Sequence, residues 1–396
     1  FRVLNANFRQ GTSENAKAIA SIAAQTSIPE ALRVEAIQEL RNWAKPSGRD
    51  RVMGLWRPIE PRPAEPAAEA VRSNLGGLFT GSSRVRQEAA TLAAGLGIKE
   101  VGPALLEMLR DAKSTSSAKV ETLRALETLQ DAGLPNAVEL ALLDGEPKVR
   151  NEARRVLLKA DSSKALASLQ RALAEGPTAE MQGALGLLAD VKGQEVDDLF
   201  AKWLDKLAAH QVPPELHLDL IAAASKRNSA SIKEGLKKWE QRRPKNDPLS
   251  EYRETLVGGD ADAGRRIFFY KSEVTCLKCH KVNGEGGEVG PEMKGIGSKQ
   301  NREYLLESII YPNKQIAKGY ETVVITTTKG VPISGILKAE DDKEVKLMTA
   351  EGKLITVPKN QIDERTTGKS AMPEDVIKHL SKAELRDLVE FLASLK

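Results

Sequence analysis

Cysteine is almost missing from this sequence. The 396 residues contain two, Cys276 and Cys279. A bond between thiols so close in sequence would be strained, and no other cysteine is available, so a structural disulfide framework is excluded. Aromatic residues are only 4% of the chain. Alanine and leucine abound instead, which favours helix over sheet. No run of about 18 apolar residues occurs, which excludes a helix that spans a membrane. The opening residues, Phe1 to Gln10, lack the basic start and apolar stretch of a signal peptide. An initiator methionine is lacking too, and the chain reads as a processed or excised piece of something longer.

A dominant charge is also lacking. Residues 1–247 carry 36 basic and 32 acidic side chains, and residues 248–396 carry 23 of each. The signs interleave, so neither part has the basic footprint of a nucleic-acid binder. Apolar residues make up 41%, ordinary for a globular chain, and the length implies two or three domains.

What is present first is a repeat. Apolar anchors spaced four apart fall at Leu32/Ala36, Val85/Ala89, Ala118/Thr122, Val149/Ala153, Met181/Leu185 and Leu216/Leu220. The intervals are 53, 33, 31, 32 and 35 residues. Four of the five suit one helix pair per repeat. Each pair alone leaves its apolar face open, so neighbours should stack into a solenoid. The pattern resembles HEAT or armadillo repeats. The long interval holds a proline-bearing insertion around Met53 to Pro63 that forbids continuous helix. Trp56 and Arg57 could mark a contact there, but a loop with Trp56 tucked against the solenoid is the plainer expectation.

The polar stretch Gln241 to Ser250 carries two prolines and marks a domain boundary, dividing 1–247 from 248–396. The grammar then changes. Helices are expected at about 260–270 and 301–310, the second stopped by Pro312, and from Ser381 to Leu395. Between them lies an insertion of about 319–365, in which Tyr320 to Pro358 alternates β-branched and polar side chains. Breaks fall at Lys329-Gly330, Asp341-Asp342 and Glu351-Gly352. That predicts about four short antiparallel strands.

Cys276-Leu277-Lys278-Cys279-His280 is C-x-x-C-H, the attachment signal for a c-type haem. Two thiols add across the two porphyrin vinyl groups, and the adjacent imidazole meets the iron. Three other readings compete. Zinc needs four ligands, yet only His210, His217 and His379 remain and no second cysteine pair exists. A thioredoxin-like redox pair wants a βαβ setting. Chance is the third.

The flanking residues resemble class I cytochromes c. Asp260 to Phe268, with Gly264 four residues before the aromatic, is similar to that family's first helix, which crosses its last helix closely. Gly290-Pro291-Glu292-Met293-Lys294-Gly295 is similar to its G-P-x-L-x-G loop, with Met293 replacing the usual leucine. Ser370 to Pro373 is similar to its distal methionine loop, and Leu385 to Leu392 to its closing helix. With repeats before it and a β insertion within it, the chain resembles haem-binding proteins of the Planctomycetes–Verrucomicrobia group. In those proteins the cytochrome often follows a β-propeller like that of quinone-dependent sugar dehydrogenases, and this chain has no propeller.

The resemblance implies a mainly α chain: a HEAT-like solenoid, then a cytochrome c helical domain carrying a small antiparallel β insertion. It implies one covalent haem c, held by Cys276 and Cys279, with His280 as an axial ligand. Candidates for the sixth ligand are Met293, Met348, Met372 and His379. Met372 follows a small-residue loop and precedes the stiffening Pro373, and it is preferred. Met293 is expected to pack on the proximal side, Met348 in a strand core, and His379, on the last helix, at the surface. The Pro291 carbonyl should accept the His280 Nδ1–H bond. Val289, Ile296, Leu305 and Ile309 should wall the haem. A Met/His pair leaves no open iron position, which favours electron transfer over enzyme chemistry. The expected partner is a dehydrogenase domain or redox protein, outside the cytoplasm. A haem enzyme or sensor, or a partner-docking solenoid, are the alternatives.

Overall fold

The computed structural model describes residues 1–396 and contains two compact units, Phe1–Leu188 and Ala189–Lys396. In the first, helices follow one another along the chain in pairs. Ser83–Gly95 precedes Gly102–Arg110, Ser116–Leu129 precedes Leu134–Leu142, and Pro147–Ala160 precedes Ser162–Glu175. The leading helices stack on each other, Glu30–Arg41 on Ser83–Gly95, then Ser116–Leu129, Pro147–Ala160 and Thr178–Leu188. The anchor residues make this possible. Ala36, Val85, Ala89, Ala118, Thr122, Val149, Ala153 and Leu185 are all buried. Hydroxyl caps start two of these helices: Ser82 accepts from the Val85 N–H and Thr115 from the Ala118 N–H.

A second periodicity lies beside the apolar one. The residue after the anchor is basic in four successive leading helices: Arg33, Arg86, Lys119 and Arg150. Each reaches a group farther along the chain. Arg33 donates to the Gly77 and Thr80 carbonyls at 2.9 and 3.0 Å. Arg86 pairs with Asp111 and Lys119 with Asp144, both at 2.6 Å, and Arg150 pairs with Glu180. These pairs are largely covered, so they tie one repeat to the next at fixed register.

The insertion in the long interval departs from expectation. Trp56 is not tucked away; it is 74% exposed. The buried indole is Trp43, with the Arg62 guanidinium 3.7 Å from its ring centre. Asp50 holds the neighbouring turn by accepting from the Val52 and Met53 N–H groups, and Trp56 lies over Gly48. The core slot is already filled, so Trp56 stays outside.

The second unit begins with helices Gln194–Ala208, His217–Ser225 and Ala230–Gln241. Composition placed a boundary at 247/248, whereas the compact units part at Leu188/Ala189. Ion pairs across the proline-bearing turn explain the difference. Arg243 meets Glu254 at 2.6 Å, and Arg386 meets Asp219 at 2.5 Å.

Helices Ala261–Tyr270, Arg302–Ile310 and Lys382–Ser394 form the shell around the cysteines. The first is capped by Asp260, and the last by a capping box of Ser381 and Glu384. A Cβ on Gly264 would lie 1.9 Å from the Asp387 carbonyl oxygen, so only glycine lets these two helices cross here. Phe268 and Phe391 then meet with ring centres 5.6 Å apart.

Two short strands, β1 (Lys281–Val282) and β2 (Glu285–Gly286), form a ribbon behind the cysteines. Its turn, Asn283-Gly284, has positive φ at both residues, as a two-residue hairpin demands. A five-stranded antiparallel sheet follows: β3 (Thr322–Thr327), β4 (Pro332–Glu340), β5 (Glu344–Met348), β6 (Leu354–Pro358) and β7 (Ile362–Thr367). Its order is β6-β5-β4-β3-β7. Ile325, Val345, Leu347 and Val357 are its core. Four strands were expected. The fifth, β7, is an edge strand with no buried side chain, so it has no alternation to read.

Candidate functional site

Thr275 precedes the first cysteine with a φ of 47°, a sparsely populated conformation for a β-branched residue. It opens the single turn Cys276–Cys279. The backbone beyond the turn is stitched back onto it. The Gly287 N–H donates to the Leu277 carbonyl at 2.9 Å, and the Gly290 N–H to the Cys279 carbonyl at 2.7 Å. The His280 Nδ1 lies 2.9 Å from the Pro291 carbonyl oxygen. A carbonyl only accepts, so Nδ1 carries the proton and the lone pair stays on Nε2. Burial lowers the His280 pKa, with the Pro291 bond partly opposing it, so the ring is neutral and able to ligate.

Both thiols and this imidazole line one cavity of about 530 Å³. That lies within the range, on the order of 300–1,000 Å³, of pockets that enclose small-molecule cofactors. The residues expected from sequence converge on it. Val289, Pro291, Met293, Ile296, Leu305, Ile309, Met372 and His379 all contribute to its wall. Met348 is not among the lining residues; it ends strand β5. Met293 is buried, Met372 is half-buried, and His379 is exposed at the end of a short 3-10 turn before the last helix, not on that helix.

The thiols are not activated. Burial pushes Cys276 up to about 11 and raises Cys279 as well. A redox-active C-x-x-C pair needs the opposite shift. No cluster of three or more His, Cys, Asp or Glu side chains suited to a metal ion occurs, so a tetrahedral zinc centre has no donor set. A largely apolar cavity lined by two thiols and a neutral imidazole suits a covalently bound porphyrin.

Sequence reasoning missed several contributors. Tyr320, just before β3, and Ala350, in the turn after β5, line the cavity too. Asn313 pins the loop that carries Met372. Its Oδ1 accepts from the Ser370 N–H at 2.7 Å, and its amide donates to Glu374. Ser370 Oγ then accepts from the Met372 N–H at 3.2 Å. The proline before Asn313 was the only local hint, because it ends the helix and frees the next residue for such a contact.

The family model described as Cytochrome c matches residues 261–350. The match takes in the leading helix, the C-x-x-C-H turn and the first three strands of the large sheet, and ends before Met372 and the closing helix. No curated protein matches the chain. Behind a mainly helical N-terminal region, the chain carries a cytochrome c domain at residues 261–350, which with Cys276 and Cys279 takes one covalent haem c and implies haem-based electron transfer.

Proposed function

We propose that this chain is a monohaem relay, passing electrons from a dehydrogenase to a downstream carrier. The observation that carries the reading is the meeting of Cys276, Cys279, His280 and Met372 on one cavity wall. The two thiols anchor the haem as thioethers. His280 ligates the iron through Nε2 while Pro291 holds its Nδ1–H, which fixes the ring and raises its basicity. Met372 supplies the sixth ligand from the loop that Asn313 pins. The bound haem supplies the one-electron couple. A Met/His pair raises its potential and leaves no position for substrate.

Around that centre the protein excludes water with Val289, Met293, Leu305 and Ile309, all buried. The dehydrogenase is a domain or separate protein that docks with the cytochrome. The N-terminal helical pairs act as a HEAT-like scaffold that presents the cytochrome to it. Covalent attachment supports a location outside the cytoplasm, where a dissociable haem would be lost.

Expression in a host that matures c-type cytochromes tests the reading. Haem should stay with the chain through denaturing electrophoresis, and Cys276→Ala with Cys279→Ala should abolish that retention. The ferric protein should show the weak Met–iron charge-transfer band at the red end of the spectrum. Loss of haem from the wild-type chain on denaturation overturns attachment. Attached haem without the band, together with cyanide or peroxide binding, points instead to a haem enzyme or sensor.

A further inference from the structure

The five-stranded sheet holds a side chain aimed at the loop that orients His280. In strand β4 the register against β5 runs Leu337 with Leu347 and then Ala339 with Lys346, so Lys338 is skipped. A residue left unpaired in this way forms a β-bulge, which turns its side chain away from the regular alternation. Lys338 Nζ donates to the Glu288 carbonyl at 3.1 Å and sits 4.9 Å from the centre of the Tyr320 ring. Tyr320 itself lines the cavity. A Cβ on Gly352, in the turn after β5, would lie 3.9 Å from Val289 Cγ2, so the two segments are neighbours.

Residues 287–291 are therefore held from two directions. On one side, Gly287, Gly290 and Pro291 bond to Leu277, Cys279 and His280. On the other, the Glu288 carbonyl accepts from Lys338. We propose that Lys338, turned by the bulge, is a positioning residue for His280: through the Glu288 carbonyl it braces the loop whose Pro291 carbonyl sets the plane of the imidazole. The β insertion is then a working wall of the haem site. This rests on the reading of His280 as an iron ligand.

The physical reason is leverage. Two short backbone bonds and one imidazole bond hold the loop from within, Lys281 pairs with the Glu288 carboxylate, and buried Val289 lines the cavity. Releasing Glu288 lets the Pro291 carbonyl move, and the ring follows it. A turned ring alters the overlap of its orbitals with iron, and a looser Val289 admits water toward the haem edge.

The test uses the haem-loaded full chain. The spread of the haem methyl proton shifts in the ferric state reports the plane of the axial imidazole. Lys338→Met keeps the apolar stem and removes the donor. It should change that spread and lower the reduction potential, while the Met–iron band persists. Lys338→Arg should restore both, because a guanidinium still donates and still stacks on Tyr320. Lys359→Met is the control: it removes an ion pair to Glu340 elsewhere on the same sheet and should change neither. A methyl pattern and potential in Lys338→Met equal to those of the wild type and of Lys359→Met overturn the proposal. Equal change in Lys338→Met and Lys359→Met also overturns it, since the effect would then be general to the sheet. Failure of the wild type to bind haem through His280 would be a different result, seen before any of these variants is compared.

Discussion

A Cβ on Gly290 would lie 2.5 Å from His280 Cε1, 2.7 Å from Nδ1 and 2.9 Å from Nε2. The whole edge of the imidazole therefore rests on a backbone that has no side chain to offer it. The ring cannot retreat easily, because the Pro291 carbonyl holds its Nδ1. Gly290→Ala should push the imidazole off its line to the iron. The expected result is attached haem with a partly high-spin ferric spectrum and a shifted potential. A fully low-spin spectrum like that of the wild type would show that the loop absorbs the methyl group.

This contact separates what the sequence reveals from what it hides. The C-x-x-C-H turn and the Gly290-Pro291 loop are local patterns, readable without a fold. The helical pairs are readable too, because Val85/Ala89 and Val149/Ala153 repeat one buried face at a steady interval. Lys338 and Asn313 are not readable. Their contacts join residues 50 and 57 positions apart, and an isolated lysine or asparagine carries no periodicity. Strand β7 was hidden because pairing with β3 holds it in place without buried side chains. Trp56 does not take the expected place: nothing local says that Trp43 fills the core and Trp56 does not.

That contrast between indoles has a measurable consequence. Trp43 is fully buried and packs edge-on against Phe8 at 6.1 Å between ring centres. Trp43→Ala should cost about 3–5 kcal/mol of stability, as large core truncations do. Trp56→Ala should change it by no more than about 0.5 kcal/mol, since an exposed ring gives up little on removal. Denaturant unfolding of residues in the first unit, followed by a probe placed there, checks both. A large loss for Trp56→Ala would mean that the exposed ring supports its own turn.

Glu39 makes the first unit sensitive to pH. It is fully buried, and neither carboxyl oxygen has a hydrogen-bond partner. Burial, reinforced by nearby Glu35, pushes its pKa up to about 8. The folded state thus holds a proton between the ordinary glutamate range and about pH 8 that the unfolded chain has released. Stability from this group is complete below the ordinary pKa and falls as pH rises toward 8, by on the order of 1.4 kcal/mol per pH unit. Glu39→Gln should flatten that slope and raise stability at neutral pH. Urea midpoints measured from pH 5 to 8 give the answer, and an unchanged slope in the variant would assign the dependence to another group.

The sixth ligand decides between electron transfer and ligand chemistry, and two methionines line the cavity to compete for it. Met293 is buried, and its backbone N–H is committed to the Lys281 carbonyl at 2.8 Å, close to the His280 side of the site. Met372 is half-buried, on a loop held by Asn313 and Ser370 and followed by Pro373. A stiff loop lowers the entropy lost when its thioether binds iron, which suits a permanent ligand. Met372→Ala should therefore erase the Met–iron band, lower the potential and open the ferric iron to cyanide. Asn313→Ala should keep the band but speed cyanide entry, because the loop loses its anchor and the thioether leaves more often. Met293→Leu should preserve both band and slow cyanide binding, since a leucine fills the same wall. Loss of the band in Met293→Leu with its survival in Met372→Ala would reverse the assignment. Survival in both would pass the sixth position to another donor, with His379 the remaining candidate from the sequence that lines the cavity.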